Sequence, residues 1–139
     1  ERVVFVERDP RVARLIRDNA VDLGVSAQVE VLCEDVTRTK GQASIVQRGP
    51  FSLVLADPPY REVQAAVDAI ATLSAHRMLA SDACILLEHG TKGAPALPND
   101  FEVISNYRYG DTAVILFVPS ASAPARESQL PGAHGGQPT

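Results

Sequence analysis

Two cysteines, Cys33 and Cys84, are all that this 139-residue sequence contains, which argues against a disulfide-stapled fold. Each sits inside an apolar run that reads as a buried strand, so both are expected as reduced core thiols. Material for a metal site is equally scarce, because His76, His89 and His134 have no ligand spacing among them. No apolar run approaches the length that crosses a bilayer, and the first residues form an amphipathic stretch without a signal-peptide pattern. A cytoplasmic protein with no membrane partner is the expectation. Basic charge is not in excess either. The formal net charge of -4 leaves the chain as a whole without the electrostatic footprint of a nucleic-acid binder, although it does not exclude a local basic surface.

What is present is the composition of one globular domain, 45% hydrophobic and 22% charged, which fits neither a disordered nor a fibrous class. Val3 to Val6 is a short apolar run of the kind found in a strand covered on both faces, closed by Glu7. It follows no initiator methionine. Asp9 supplies an N-cap and Pro10 a first helical position, after which Val12, Leu15, Ile16, Ala20 and Leu23 recur at helical spacing until Gly24. Val29 to Cys33 reads as a second strand ending in Glu34 and Asp35. The polar stretch from Thr37 to Arg48 predicts a short helix broken by Gly41. Phe51 to Ala56 is a third strand running into Asp57-Pro58-Pro59-Tyr60, followed by a helix with Val63, Ala66, Val67, Ile70 and Leu73 on one face. Ala83 to Leu87 is a fourth strand ending at Glu88.

Apolar strands alternating with helices predict an α/β fold on a mostly parallel sheet. Phe101 to Tyr109 and Thr112 to Val118, joined by Gly110-Asp111, predict a C-terminal antiparallel hairpin. Residues 1 to 118 are thus expected to form the folded domain, and 119 to 139, rich in Pro, Ser, Ala and Gly, a disordered tail.

Ligands of such sheets bind at the carboxyl ends of the strands, where Glu7, Asp35, Asp57 and Glu88 fall. Glu7 can accept the two hydroxyls of a ribose, or simply place negative charge at the start of the helix that follows. Asp35 can meet an adenine amino group or cap its own turn. Asp57-Pro58-Pro59-Tyr60 is more specific. Two prolines remove two backbone donors and fix a stiff exit whose carbonyls are free to accept. An aromatic amine is a poor nucleophile because its lone pair is delocalised into the ring. A site that methylates one needs acceptors for both N–H groups, and the Asp57 carboxylate and Pro58 carbonyl can supply them. Tyr60 offers a flat surface for a base taken out of its stack. Because stacking needs only the ring, Tyr60→Phe is expected to keep activity and Tyr60→Ala to lose base binding.

Val3 to Asp9, the Asp-Pro-Pro-Tyr turn, the strand Cys84-Ile-Leu-Leu-Glu-His-Gly90 and the Tyr109-Gly-Asp-Thr112 turn together resemble the RsmD family of small-subunit rRNA guanine-N2 methyltransferases. The resemblance spans Val3 to Val118 and implies a Rossmann-like, S-adenosylmethionine-dependent class I methyltransferase. By that resemblance Glu7 would hold the cofactor ribose, Arg8 and Val36 would flank the adenine, and Asp35 would meet its amino group. Asp57, Pro58 and Tyr60 would act on the target base, with Pro59, Tyr60 and Arg61 contacting the substrate. The implied partner is ribosomal RNA or a small-subunit assembly particle, and a monomer is expected. Gly110 is expected in a left-handed turn.

One departure stands out. Such families carry a glycine-rich loop after their first strand, and none precedes Glu7 here. The first strand would sit between the pair formed by Val3 to Val6 with Val29 to Cys33 and the set containing Phe51 to Ala56, so its absence leaves two bare strand edges. The expectation is a chain that lacks upstream sequence and, as written, binds the cofactor weakly and transfers no methyl group. Arg8, Arg11, Arg14 and Arg17 could contact phosphate, but interleaved Asp9, Asp18 and Asp22 favour a solvated face. Two other functions carry the same residues: a DNA adenine-N6 or cytosine-N4 amino-methyltransferase, and a catalytically silent nucleotide-binding module.

Overall fold

A computed structural model describes residues 1–120. Its elements are β1 (Val3–Val6), α1 (Pro10–Asp22), β2 (Val29–Leu32), α2 (Thr39–Val46), β3 (Phe51–Ala56), α3 (Val63–Ala75), β4 (Leu79–Gly90), β5 (Phe101–Tyr109) and β6 (Thr112–Pro119), with single 3-10 turns at Ser26–Gln28 and Tyr60–Glu62. The α1 helix starts where its sequence says it should. The Asp9 side chain accepts from the Arg11 N–H at 2.8 Å, Pro10 follows, and Gly24 ends the helix at φ +69°.

The strands form two sheets. β1 and β2 pair in parallel, and a four-stranded sheet has the order β3-β4-β6-β5, with β3 parallel to β4 and the other pairings antiparallel. This is the expected α/β arrangement with its C-terminal hairpin, and Gly110 turns that hairpin at φ +60°. Helix α3 lays Val63, Ala66, Val67 and Ile70 against Ile85 and Leu87 of β4 and Ile115 and Phe117 of β6. Phe101 meets Phe117 edge to face, ring centroids 5.3 Å apart. A second cluster of Leu32, Ile45 and Leu73, joined by Val4 and Val6, attaches the β1–β2 pair to α2 and α3.

β1 pairs only with β2 and β3 only with β4, so among the described residues each has one edge without a strand partner. These are the two bare edges expected from the sequence. The apolar residues on one face of these strands are also uncovered: Val3, Phe5, Leu53 and Leu55 are 47%, 40%, 53% and 70% exposed.

Four expectations need correction. Cys33 lies beyond the end of β2 and is exposed, its thiol 3.9 Å from the Arg8 carbonyl, because the strand stops at Leu32 where β1 stops. Gly41 does not break α2 but lies buried within it, because the helix passes so close to the Asp35 carbonyl that no side chain fits. β4 extends from Leu79 to Gly90, held at its far end by pairing with β6, so Glu88 sits inside a strand opposite Val114. Pro119 belongs to β6, paired with Phe101. The tail expectation otherwise falls on residues 121–139, outside the described residues.

Candidate active site

The cleft between the two sheets holds about 470 Å³; it runs along the bare edges of β1 and β3 over α3 and reaches the residues that follow β1, β2 and β3. β1 and β2 deliver their terminal residues to the same mouth because they pair in parallel, and the 3.0 Å contact of Arg8 with Glu62 places the turn after β3 beside them. Glu7 and Arg8 follow β1, Glu34, Asp35 and Val36 follow β2, and Asp57, Pro58 and Pro59 follow β3; all line this cleft. Residues from three separate stretches, all singled out in the sequence, are thus brought to one place. Two are not. Tyr60 lines a second cavity of about 380 Å³ with Val63, Gly90, Thr91, Lys92, Gly93 and Asp111. Arg61 is exposed and lines neither cavity.

The carboxylates differ in what already holds them. One oxygen of Glu7 accepts the Asp9 N–H at 2.7 Å, so it supports the turn into α1 and lines the cleft at once. Asp35 accepts from the Thr37 hydroxyl at 2.6 Å and the Thr37 N–H at 2.9 Å. These bonds hold its carboxyl below the usual carboxylate range, so it stays ionised. Both readings of Glu7 and Asp35 therefore coexist in one geometry. The Asp57 carboxylate, by contrast, has no partner among the described residues.

The two proline carbonyls also differ. Pro59 accepts the Glu62 N–H at 2.7 Å, closing the 3-10 turn, while the Pro58 carbonyl accepts no hydrogen bond among the described residues. The stiff exit from β3 therefore presents two open acceptors, the Asp57 carboxylate and the Pro58 carbonyl.

Glu62 carried no sequence signal as a site residue, yet both its oxygens lie 3.0 Å from Arg8 Nη1. The pair spans the mouth from the end of β1 to the turn after β3. Only the fold brings together residues 54 positions apart. With Glu34 included, five carboxylates and one guanidinium line the cleft. Of the other arginines, Arg11 pairs with Asp9, Arg14 with Asp18, and Arg17 donates to the Val31 carbonyl, as a solvated, locally paired face would. Among the described residues no cluster of three His, Cys, Asp or Glu is placed to hold a metal ion, and no helix is long and apolar enough to cross a membrane.

This architecture is that of a Rossmann-like methyltransferase fold. The structure superimposes on a solved structure from Haemophilus influenzae described as "putative methylase HI0767", with a TM-score of 0.68 and 22% identity over 84% of this chain and 71% of that one. It does so also on the "putative methyltransferase yhhF" of Escherichia coli, with a TM-score of 0.69 and 23% identity over 84% and 63%. At such identities the likeness is one of fold. The chain itself belongs to the family described as "Conserved hypothetical protein 95", which matches residues 1–118 and is the RsmD family that its motifs resemble. The "Putative rRNA methyltransferase YlbH" of Bacillus subtilis strain 168 is 28% identical over 119 residues, 84% of this chain. The chain spans 63% of the length of that curated relative.

Proposed function

We propose that this chain carries the adenosine-binding and base-binding parts of an S-adenosylmethionine-dependent methyltransferase acting on the exocyclic amino group of a guanine in small-subunit ribosomal RNA. The observation that carries this reading is the pair of open acceptors at Asp57 and Pro58, at the mouth that Glu7 and Asp35 also line. Family membership and the rRNA methyltransferase description of the Bacillus relative support an RNA substrate. A cytoplasmic location and a small-subunit assembly particle as partner accord with that substrate.

The donor set fits this cofactor. Of the five carboxylates that line the cleft, Glu62, Asp35 and Glu34 pair with Arg8, Arg38 and Lys40, and Glu7 and Asp57 remain as negative charge that attracts a cation and disfavours the pyrophosphate of a dinucleotide. S-adenosylmethionine is a sulfonium cation, and when bound it supplies an electrophilic methyl group. Glu7 has an oxygen free of the Asp9 N–H for a ribose hydroxyl, and Asp35 stays an ionised acceptor for the adenine amino group. Val36 gives the adenine an apolar contact. Arg8, held by Glu62, borders the same position.

On the substrate side, the Asp57 carboxylate and Pro58 carbonyl each accept one N–H of the guanine amino group. Both bonds draw the nitrogen from planar toward tetrahedral, which localises its lone pair for attack. As the new N–C bond forms, the nitrogen must lose one proton. The Asp57 carboxylate is positioned to accept it and pass it to solvent. Pro59 and Arg61 flank the incoming nucleotide.

The test is methyl transfer by the full-length gene product to small-subunit rRNA and to duplex DNA. Replacing Asp57 by Ala should cost about 10²-fold or more in turnover, the scale of losing one preorganised transition-state partner. Cofactor affinity by calorimetry should be unchanged. Near-normal turnover by Asp57→Ala would defeat the mechanism, and preferred methylation of DNA would replace the substrate.

A further inference from the structure

Tyr60 is fixed in a way that a mere stacking surface does not require. Its hydroxyl lies 2.9 Å from the Thr112 hydroxyl at the start of β6. A Cβ built on Gly90, the last residue of β4, would lie 3.1 Å from the ring carbon Cδ2 and 3.4 Å from both Cγ and Cε2. Equal distances to the two carbons flanking Cδ2, barely longer than that to Cδ2 itself, place the missing side chain over the ring face and not at its edge. Gly90 and Thr112 are directly paired in the β4–β6 ladder. One cross-strand pair therefore seats a face of the ring and ties down its hydroxyl. Tyr60 is nonetheless 56% exposed, so seating on Gly90 leaves much of the residue open to solvent.

We propose that the Gly90–Thr112 pair is a positioning device that holds the Tyr60 ring, one face open, as the platform for the target base. This rests on the base-methylation reading above. A tyrosine in an exposed turn would otherwise sample several rotamers, and ordering it would cost entropy at the moment the base stacks. Fixing the ring beforehand removes that cost from binding. It also fixes the height of the base relative to the Asp57 carboxylate, three residues earlier on the same stiff segment. Glycine at position 90 is what lets the ring lie flat on β4, because any Cβ pushes the ring outward.

The hydroxyl therefore has a role that the sequence did not give it, and Tyr60→Phe is now expected to lose function. Thr112→Val, Tyr60→Phe and the double variant should each raise KM for rRNA by about fivefold, the ratio that a typical net hydrogen bond contributes. The double variant should be no worse than either single one. Thr112→Ser, which keeps the hydroxyl, should restore the parent value, and cofactor affinity should stay unchanged throughout. In the substrate-free protein, three-bond couplings of labelled Tyr60 should report a single χ1 rotamer, which becomes averaged in Thr112→Val. Additive effects, no rescue by Thr112→Ser, or equal losses in cofactor affinity would overturn the proposal in favour of a merely structural contact. A parent enzyme that methylates no nucleic acid would overturn the reading on which the platform rests. The rotamer measurement, made without substrate, decides the clamp independently.

Discussion

At the scale of single residues, Gly41 has the least room for change. A Cβ there would sit 2.1 Å from the Asp35 carbonyl oxygen and 2.7 Å from its carbon. Both are backbone atoms, so no rotamer change relieves the overlap and α2 or the turn carrying Asp35 must move. Gly41→Ala is expected to destabilise by about 1–3 kcal/mol, the range for forced overpacking. Because Asp35 moves with the turn, cofactor affinity should fall as well. Thermal melting together with calorimetric titration checks both effects, and a variant that melts and binds like the parent would mean that α2 is free to slide. Reading Gly41 as a helix breaker follows from propensity alone, but its true constraint is a neighbour six residues back, visible only when the chain turns on itself.

Among the elements, α1 has an N-terminus that responds to acid. The Arg11 side chain and N–H pull the Asp9 carboxyl down to about 2, from its ordinary value of 3.8. A carboxyl depressed in the folded state stabilises it above the unfolded value and loses that contribution as the pH falls through the folded value. Stability should therefore decline as pH drops from about 4 toward 2. Asp35 and Glu30 are lowered in the same direction, so they add to the same acid limb. Asp9→Asn keeps a capping side chain but removes one titrating group, and should make that limb shallower in circular-dichroism melts. An unchanged slope would show that the cap contributes no linkage. The start of α1 was readable because its cap, proline and apolar spacing are all local. The far end of β4 was not, because Glu88, His89 and Gly90 are strand residues only through pairing with Val114, Ala113 and Thr112.

For the whole molecule, the division into two sheets sets an order of stability. The β4, β5 and β6 strands share ladders and the cluster beneath α3, whereas β1 and β2 join the rest through the side chains of the smaller cluster and the Arg8–Glu62 and Arg48–Glu30 ion pairs, without a shared ladder. Local opening follows such differences in shared burial and hydrogen bonding. In amide exchange of the 139-residue chain, β1 and β2 are expected to exchange first, and Ile85, Leu87, Ile115 and Phe117 last. Equal protection across both sheets would mean that the smaller cluster and these ion pairs couple them as tightly as a shared ladder does.

The sequence by itself determined the alternation of strands and helices, the antiparallel hairpin at Gly110, and the positions of Glu7, Asp35 and Asp57 at strand ends. Each of these is written in local spacing, capping and turn chemistry, which act over a few residues. Tertiary structure decided the rest: the Arg8–Glu62 bridge, the seating of Tyr60 on Gly90 and Thr112, the exposure of Cys33, and the assignment of Tyr60 to a second cavity. These depend on which strand lies beside which, and that is fixed by ladder register and core packing between residues far apart in the chain.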